Sequence, residues 1–233
     1  MNNKPAAIIG GLLALGLIIS SALVGNSISN FKKADRAVTV KGLAEREVKA
    51  NLALWPISFS VSANSLDSLQ SQLTVAEGKI HAFLQRYGFS KEDISSAPSQ
   101  VIDNWADRYN QNTPKERYRA QAVVVVRTKQ VDLVKDTMIK TGELVKEGVL
   151  LTPSYEHRTE FLFTDLNTIK PEMIAEATQD ARHAAMQFAE DSGSKVGSIR
   201  SATQGYFSVS DLDNYTPDIK NVRVVTTVEY YLR

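Results

Sequence analysis

The chain has no cysteine. That absence removes disulfides, thiol nucleophiles and thiolate metal centres together. Histidine is almost as scarce: there are three, far apart at positions 81, 157 and 183. No His-Glu-x-x-His pair, Gly-rich phosphate loop or Gly-x-Ser-x-Gly elbow occurs, so the sequence signatures of zinc proteases, P-loop enzymes and α/β-hydrolases are missing. Net charge is close to nil, with 27 Lys and Arg against 26 Asp and Glu. The first 33 residues contain Lys4, Lys32 and Lys33 and no acid, leaving the remainder with 24 basic and 26 acidic groups, a net of −2. Such a body has no basic footprint for nucleic acid, and none is expected as a partner. Low-complexity tracts and long Pro/Gly/Ser linkers are absent as well.

What is present begins with one long hydrophobic run. Ala6 to Val24 reads AAIIGGLLALGLIISSALV, nineteen residues without a charge. As a helix rising about 1.5 Å per residue it extends roughly 28 Å, enough to cross the hydrocarbon core of a bilayer. The expected organisation is a short tail at 1–5, a transmembrane signal anchor at 6–25 that contacts the lipid bilayer, a polar tether at 26–36 and a folded body at 37–233. A cleaved signal peptide is the competing reading, with about 7–15 apolar residues ending in a small-x-small site. The run here is longer, and its best such site, Ser20-x-Ala22, lies inside it, which favours retention. Lys32, Lys33 and Arg36 outnumber Lys4 across the span, and that count alone would place the body in the cytoplasm. A short N-terminal tail usually stays inside while the bulk is exported, and an exported body is the expectation adopted.

The body alternates strand and helix periodicities. Val38, Val40, Ala44, Val48 and Ala50 share one parity, the pattern of a half-buried strand bent or bulged at Gly42. Ala53, Trp55, Ile57, Phe59, Val61 and Ala63 form a second strand, where Pro56 argues for an edge or a bulge. Leu66, Leu69, Leu73, Ala76, Ile80, Phe83 and Tyr87 mark an amphipathic helix that Asn64 or Ser65 can cap and Gly88 can end. Strands are expected at Ile94–Trp105 and Tyr118–Arg127, joined by a polar hairpin tip at Asp107–Glu116; the continuous Val123–Val126 run implies burial on both faces. A shorter helix carries Val131, Val134, Met138 and Thr141 and stops at Gly142, and a strand with His157 on its half-buried face follows at Tyr155–Phe163. Pro171 opens a third helix with the stripe Ile174, Ala177, Ala181, Ala184 or Ala185, and Phe188, ending at Gly193. Strands at Val196–Phe207 and Val222–Leu232 complete the chain. The fold class expected is α+β: antiparallel sheets with helices packed on one face, preceded by a single N-terminal transmembrane helix.

Chemistry is sparse. Glu176, Asp180 and His183 lie along one face of the third helix, and Asp211, Asp213 and Asp218 fall within eight residues, so both clusters are metal-ligand candidates. A solvated helix face and an Asp/Asn/Pro turn are the plainer readings, since the second cluster lacks the glycine and glutamate of a calcium loop. His81 is read as a boundary residue beside the first helix's apolar stripe. A catalytic carboxylate pair has no positive support; no catalytic residue and no cofactor are expected. Trp105, Tyr109 and Tyr118 flank the hairpin tip and are candidates for an oligomer interface.

Two stretches carry a family resemblance. The opening Val38-Thr39-Val40-Lys41-Gly42-Leu43-Ala44-Glu45-Arg46-Glu47-Val48, with the Ala-x-x-Ala-x-Trp-Pro strand from Ala50 to Pro56, resembles the SIMPL domain, also called DUF541. Ser201-Ala202-Thr203-Gln204-Gly205 and Val222-Arg223-Val224-Val225-Thr226-Thr227-Val228-Glu229-Tyr230 are similar to its end, so the likeness spans about 36–232. It implies a bacterial envelope protein of mixed α/β fold, often periplasmic, in a family where some members form large ring- or channel-like homo-oligomers and some are linked with oxidative stress. It carries over no catalytic residues. With a retained anchor, the expectation is a non-enzymatic, single-pass inner-membrane protein whose periplasmic domain self-assembles into a ring or cage. The alternative is a periplasmic ligand- or metal-binding module that protects against stress.

Overall fold

A computed structural model describes residues 16, 20–21, 36–106, 115–154 and 156–233. The expected transmembrane span lies outside the described residues except for Gly16, Ser20 and Ser21, which are helical; most of the tether, most of the hairpin tip with Tyr109, and Tyr155 also lie outside them. Among the described residues no helix is long and apolar enough to cross a membrane.

The fold is α+β with antiparallel strand pairing. Two strands, β1 (Ala37–Lys49) and β2 (Leu52–Ala63), precede helix α1 (Leu66–Arg86). After a 3-10 turn come β3 (Ile94–Ser96), β4 (Gln100–Asp103) and β5 (Tyr118–Thr128). Helices α2 (Val131–Met138) and α3 (Gly142–Lys146) lead to the short β6 (Leu150–Leu151) and β7 (Glu160–Leu162). The long helix α4 (Leu166–Asp191) is followed by β8 (Val196–Gln204), β9 (Ser208–Asp211) and β10 (Ile219–Leu232). These elements form two compact units, residues 47–166 with 209–222, and 36–46 with 167–208 and 223–233.

In the first unit the strand order is β3-β5-β2-β6, with β4 also on β5 and β7 also on β2. Odd-numbered β2 residues (Trp55, Ile57, Phe59) and even-numbered β5 residues (Ala120, Val124, Val126) form one apolar face, onto which α1 presses Leu73, Ile80, Phe83 and Leu84. The helix period of α1 and the strand period of β2 and β5 therefore meet in a single core. The Ser65 hydroxyl caps α1 by accepting from the amide of Ser68. Gly88 and Gly148, at φ +101° and +86°, end α1 and α3, a left-handed turn that a glycine adopts without a Cβ penalty. Gly142 does not end a helix: it is the first residue of α3, and the stop falls at Gly148.

Several other boundaries differ from the sequence expectation. Pro56 lies within β2, paired in unbroken register with Val125 of β5. On its other side β2 pairs with β7 through residues 52–54 and with β6 through 59–60, so the proline falls in the gap where no partner needs an N–H. The expected strand at 94–105 is split into β3 and β4 around Ala97-Pro98-Ser99. Val123 and Val125 are half-buried while Val124 is fully buried, so β5 has one core face rather than two. His157 is exposed in a bend, because the strand there spans only Glu160–Leu162.

The other sheet has the order β1-β10-β8, with β9 also on β10. One face of β10 buries Val224, Thr226, Val228 and Tyr230 in the expected alternation. Helix α4 begins at Leu166, so Pro171 lies inside it rather than opening it. Its buried stripe is Met173, Ala177, Ala181, Ala185 and Ala189, a spacing of four; Phe188 is half exposed instead of buried. Strand β1 is continuous through Gly42, and the glycine serves contact, not curvature. A Cβ at Gly42 would stand 1.9 Å from the Ala177 carbonyl oxygen and 2.3 Å from the Ala181 amide nitrogen. The alanine stripe and Gly42 together let helix backbone and strand backbone touch.

Candidate functional site

At the end of the β4–β5 pair several side chains are held together in an exposed position. Strand β4 pairs with β5 from Gln100↔Gln121 to Asp103↔Tyr118. Where the strands part, Arg117 reaches back to Asp103: its Nε is 3.2–3.3 Å from both carboxylate oxygens and its Nη2 donates at 3.0 Å. Its guanidinium also lies 5.7 Å from the Trp105 ring centre and 4.9 Å from that of Tyr118. The Arg117 guanidinium, with the Trp105 amide assisting, holds the Asp103 carboxyl below the usual carboxylate range, and the guanidinium's own pKa is raised in return. The Arg117 amide donates to Asn64 Oδ1 at 3.0 Å and the Asn104 side-chain amide donates to the Glu116 carbonyl at 3.1 Å, so the stem is fixed at its root. On this frame Val101 and Ile102 of the edge strand β4 and Trp105 just beyond it are about half exposed. Two of the three interface candidates, Trp105 and Tyr118, thus share one cation.

The acidic candidates are dispersed among separate partners. Asp211 pairs with Lys220, whose side chain is almost buried. Asp213 closes its own turn, accepting from the Thr216 hydroxyl at 2.7 Å and from the Tyr215 and Thr216 amides at 2.6 and 2.7 Å, which lowers its pKa. Asp218 is buried, with Lys135 Nζ 2.7 Å from its Oδ1, an ion pair by distance without hydrogen-bond alignment. On α4, Glu176 stands 3.7 Å from Arg46, Asp180 accepts from the Leu43 amide at 2.9 Å, and His183 lies beside β8. Among the described residues no three His, Asp or Glu side chains gather in a way that would hold a metal ion. Each of these carboxylates neutralises or caps a neighbour.

One constellation escaped the sequence reading. Glu77 and His81, one turn apart on α1, meet Ser96 of β3 beside a cavity of about 160 Å³ lined by Phe59, Leu73 and Ser99 among others. The Ser96 hydroxyl donates to Glu77, and His81 Nε2 is 3.5 Å from that hydroxyl and 3.9 Å from the same carboxylate oxygen. A serine-histidine-carboxylate relay needs the serine and the acid on opposite ring nitrogens, so that one orients the base while the other is deprotonated. Here both face Nε2, and the serine is already committed to the acid. The Ala97 amide donates to the Val123 carbonyl, so it supplies no oxyanion hole. The i, i+4 spacing of Glu77 and His81 was visible, but nothing local foretold Ser96, 15 residues on.

The described residues thus form two α+β units, and at the β4–β5 stem Trp105 and Tyr118 share the Arg117 cation. The chain belongs to the SIMPL family: the family profile, described as a protein of unknown function (DUF541), matches residues 38–228. Among curated proteins none matches the chain.

Proposed function

We propose that this protein is a non-enzymatic, inner-membrane-anchored protein whose body lies in the periplasm and self-assembles into a large homo-oligomeric ring or cage. The single observation that supports this best is the hairpin stem. Arg117, Asp103, Trp105 and Tyr118 form a bidentate ion pair and two cation–π contacts that fix the stem at the end of an edge strand, where Val101, Ile102 and Trp105 are exposed. Such rigidity lowers the ordering cost of an interface, and aromatic and arginine residues are those that interfaces favour. The uncharged run at 6–24 supports the anchor. A role in envelope or oxidative stress belongs to the same proposal through the family resemblance.

The test is deletion of residues 106–115 from the full chain. Assembly is expected to fall to smaller species while circular dichroism keeps the α+β signature; an unchanged particle size would overturn the hairpin's role. The engaged state of Asp211, Asp213, Asp218, Glu176 and Asp180 does not favour the metal-binding alternative. Calorimetry with Ca²⁺, Zn²⁺ and Mn²⁺ is expected to be silent, and a saturable heat with a raised melting temperature would restore that reading.

A further inference from the structure

Helix α4 covers β1 and β10 but leaves β8 bare. A helix is about 10 Å across with its side chains and strands lie ~4.8 Å apart, so one helix spans about two strands. Every residue of β8 from Ser198 to Gln204 is exposed, on both faces, in a strand of nine residues. Between the uncovered strand and the flank of α4 runs an open groove of about 1240 Å³. Its floor is Ala189 and Tyr230, both buried; Met186 and Ile199 stand at its rim, each 52% exposed. An open groove beside a helix, on the face of the sheet where Tyr230 is buried, has room for a second element.

The flank of α4 that lines this groove carries its own complement. Arg182, Met186 and Glu190 succeed one another every fourth residue along it. Among the described residues, neither the Arg182 guanidinium nor the Glu190 carboxylate has a side-chain hydrogen bond or ion pair. Two such helices crossing antiparallel at Met186 bring each arginine opposite the other's glutamate, four residues either side of a twofold axis. That satisfies both charges twice and encloses two methionines, which adapt readily to irregular contact. The edge of β8 is poorly suited to pairing by strand addition. Its register with β10 slips between Ser201↔Glu229 and Ile199↔Tyr230, leaving Arg200 as a bulge. The face, rather than the edge, is the open surface.

We infer that a second copy of this chain docks in the α4–β8 groove about a twofold axis at Met186, with Arg182 of each copy paired to Glu190 of the other and each α4 lying over the β8 face its partner leaves bare. This deepens the self-assembly proposal and rests on the premise that the chain self-associates, but it uses a surface other than the hairpin stem. An isologous contact alone closes at a dimer, and a ring or cage requires a second, different contact. The α4–β8 face and the hairpin stem together supply two.

The absence of cysteine makes the test clean. In the full chain in detergent, Met186→Cys is expected to give a disulfide-linked dimer under mild oxidation, whereas Gln187→Cys, on the neighbouring solvent-facing position, is expected to give little. Arg182→Glu and Glu190→Arg are each expected to abolish the Met186→Cys cross-link, and the double reversal to restore it. Equal cross-linking at 186 and 187, or single reversals without effect, would overturn the inference. The two proposals fail separately. A wild-type chain that is monomeric in detergent removes both. A wild-type assembly indifferent to R182E removes only this one. A chain lacking 106–115 that still cross-links at 186 shows the groove contact standing without the hairpin.

Discussion

The two units cover their sheets by opposite means. In the unit of residues 47–166 and 209–222, the helix meets the sheet through large side chains: Phe59, Phe83, Ile80 and Leu84 are among the bulkiest fully buried residues of the chain. In the other, α4 offers four alanines and β1 answers with Gly42, so the backbones themselves are in contact. A core of large side chains loses stability when atoms are removed, because removal opens a cavity. A core of backbone contact loses stability when atoms are added, because the new atom meets main chain that cannot step aside. The first design packs helices on its sheet through bulky side chains; the second places one helix close and leaves β8 exposed.

Substitutions can break this contrast, beginning with the largest effect. Phe83→Ala is expected to cost about 3–5 kcal/mol, read by chemical denaturation, since it empties the centre of the large-residue core. Gly42→Ala adds a single methyl and is nonetheless expected to cost about 1–3 kcal/mol, with hydrogen exchange accelerating in β1 and α4 more than in α1 and β5. A neutral result there would mean that the close approach is not what fixes α4. Ile80→Val, a loss of one methylene where packing can relax, is expected to cost about 0.5–1.5 kcal/mol. Should Ile80→Val prove costlier than Gly42→Ala, the contrast between the two designs would not hold.

Acid should act last and locally. Asp103 and Asp213 titrate below the usual carboxylate range because Arg117 and the Thr216 hydroxyl, respectively, bind their ionised forms. Each contribution is therefore complete above the unfolded carboxylate value of about 4 and is lost as pH falls through the lower folded value. Trp105 reports the first of these, and its fluorescence is expected to change below about pH 4 and be flat from pH 5 to 8. A transition centred near pH 6 would contradict the assignment.

The legible and illegible parts of this fold divide along physical lines. The α1 stripe Leu69, Leu73, Ala76, Ile80 and Phe83 and the β10 face Val222, Val224, Thr226 and Val228 could be read directly, because large and β-branched apolar residues at a fixed period have few alternative uses. The α4 stripe could not be placed to the residue: alanine is at home inside or outside, and the sequence favoured Ile174 and Phe188 where the structure buries Met173 and Ala189. Gly42 was legible as special but not as a contact, since its neighbours Ala177 and Ala181 lie more than a hundred residues away along the chain. Of the candidate sites, the Trp105–Tyr118 hairpin could be named from composition, whereas its organiser Arg117 and the Glu77–His81–Ser96 cluster depend on strand pairings that no local spacing encodes.

Self-association at a membrane is the claim on which the rest depends, and the molar mass of the intact chain extracted from membranes, measured by light scattering with the detergent contribution subtracted, tests it most directly. A particle of many subunits retaining the segment 6–25 is the result predicted. A monodisperse single subunit, or a water-soluble chain cleaved of its first two dozen residues, would contradict it.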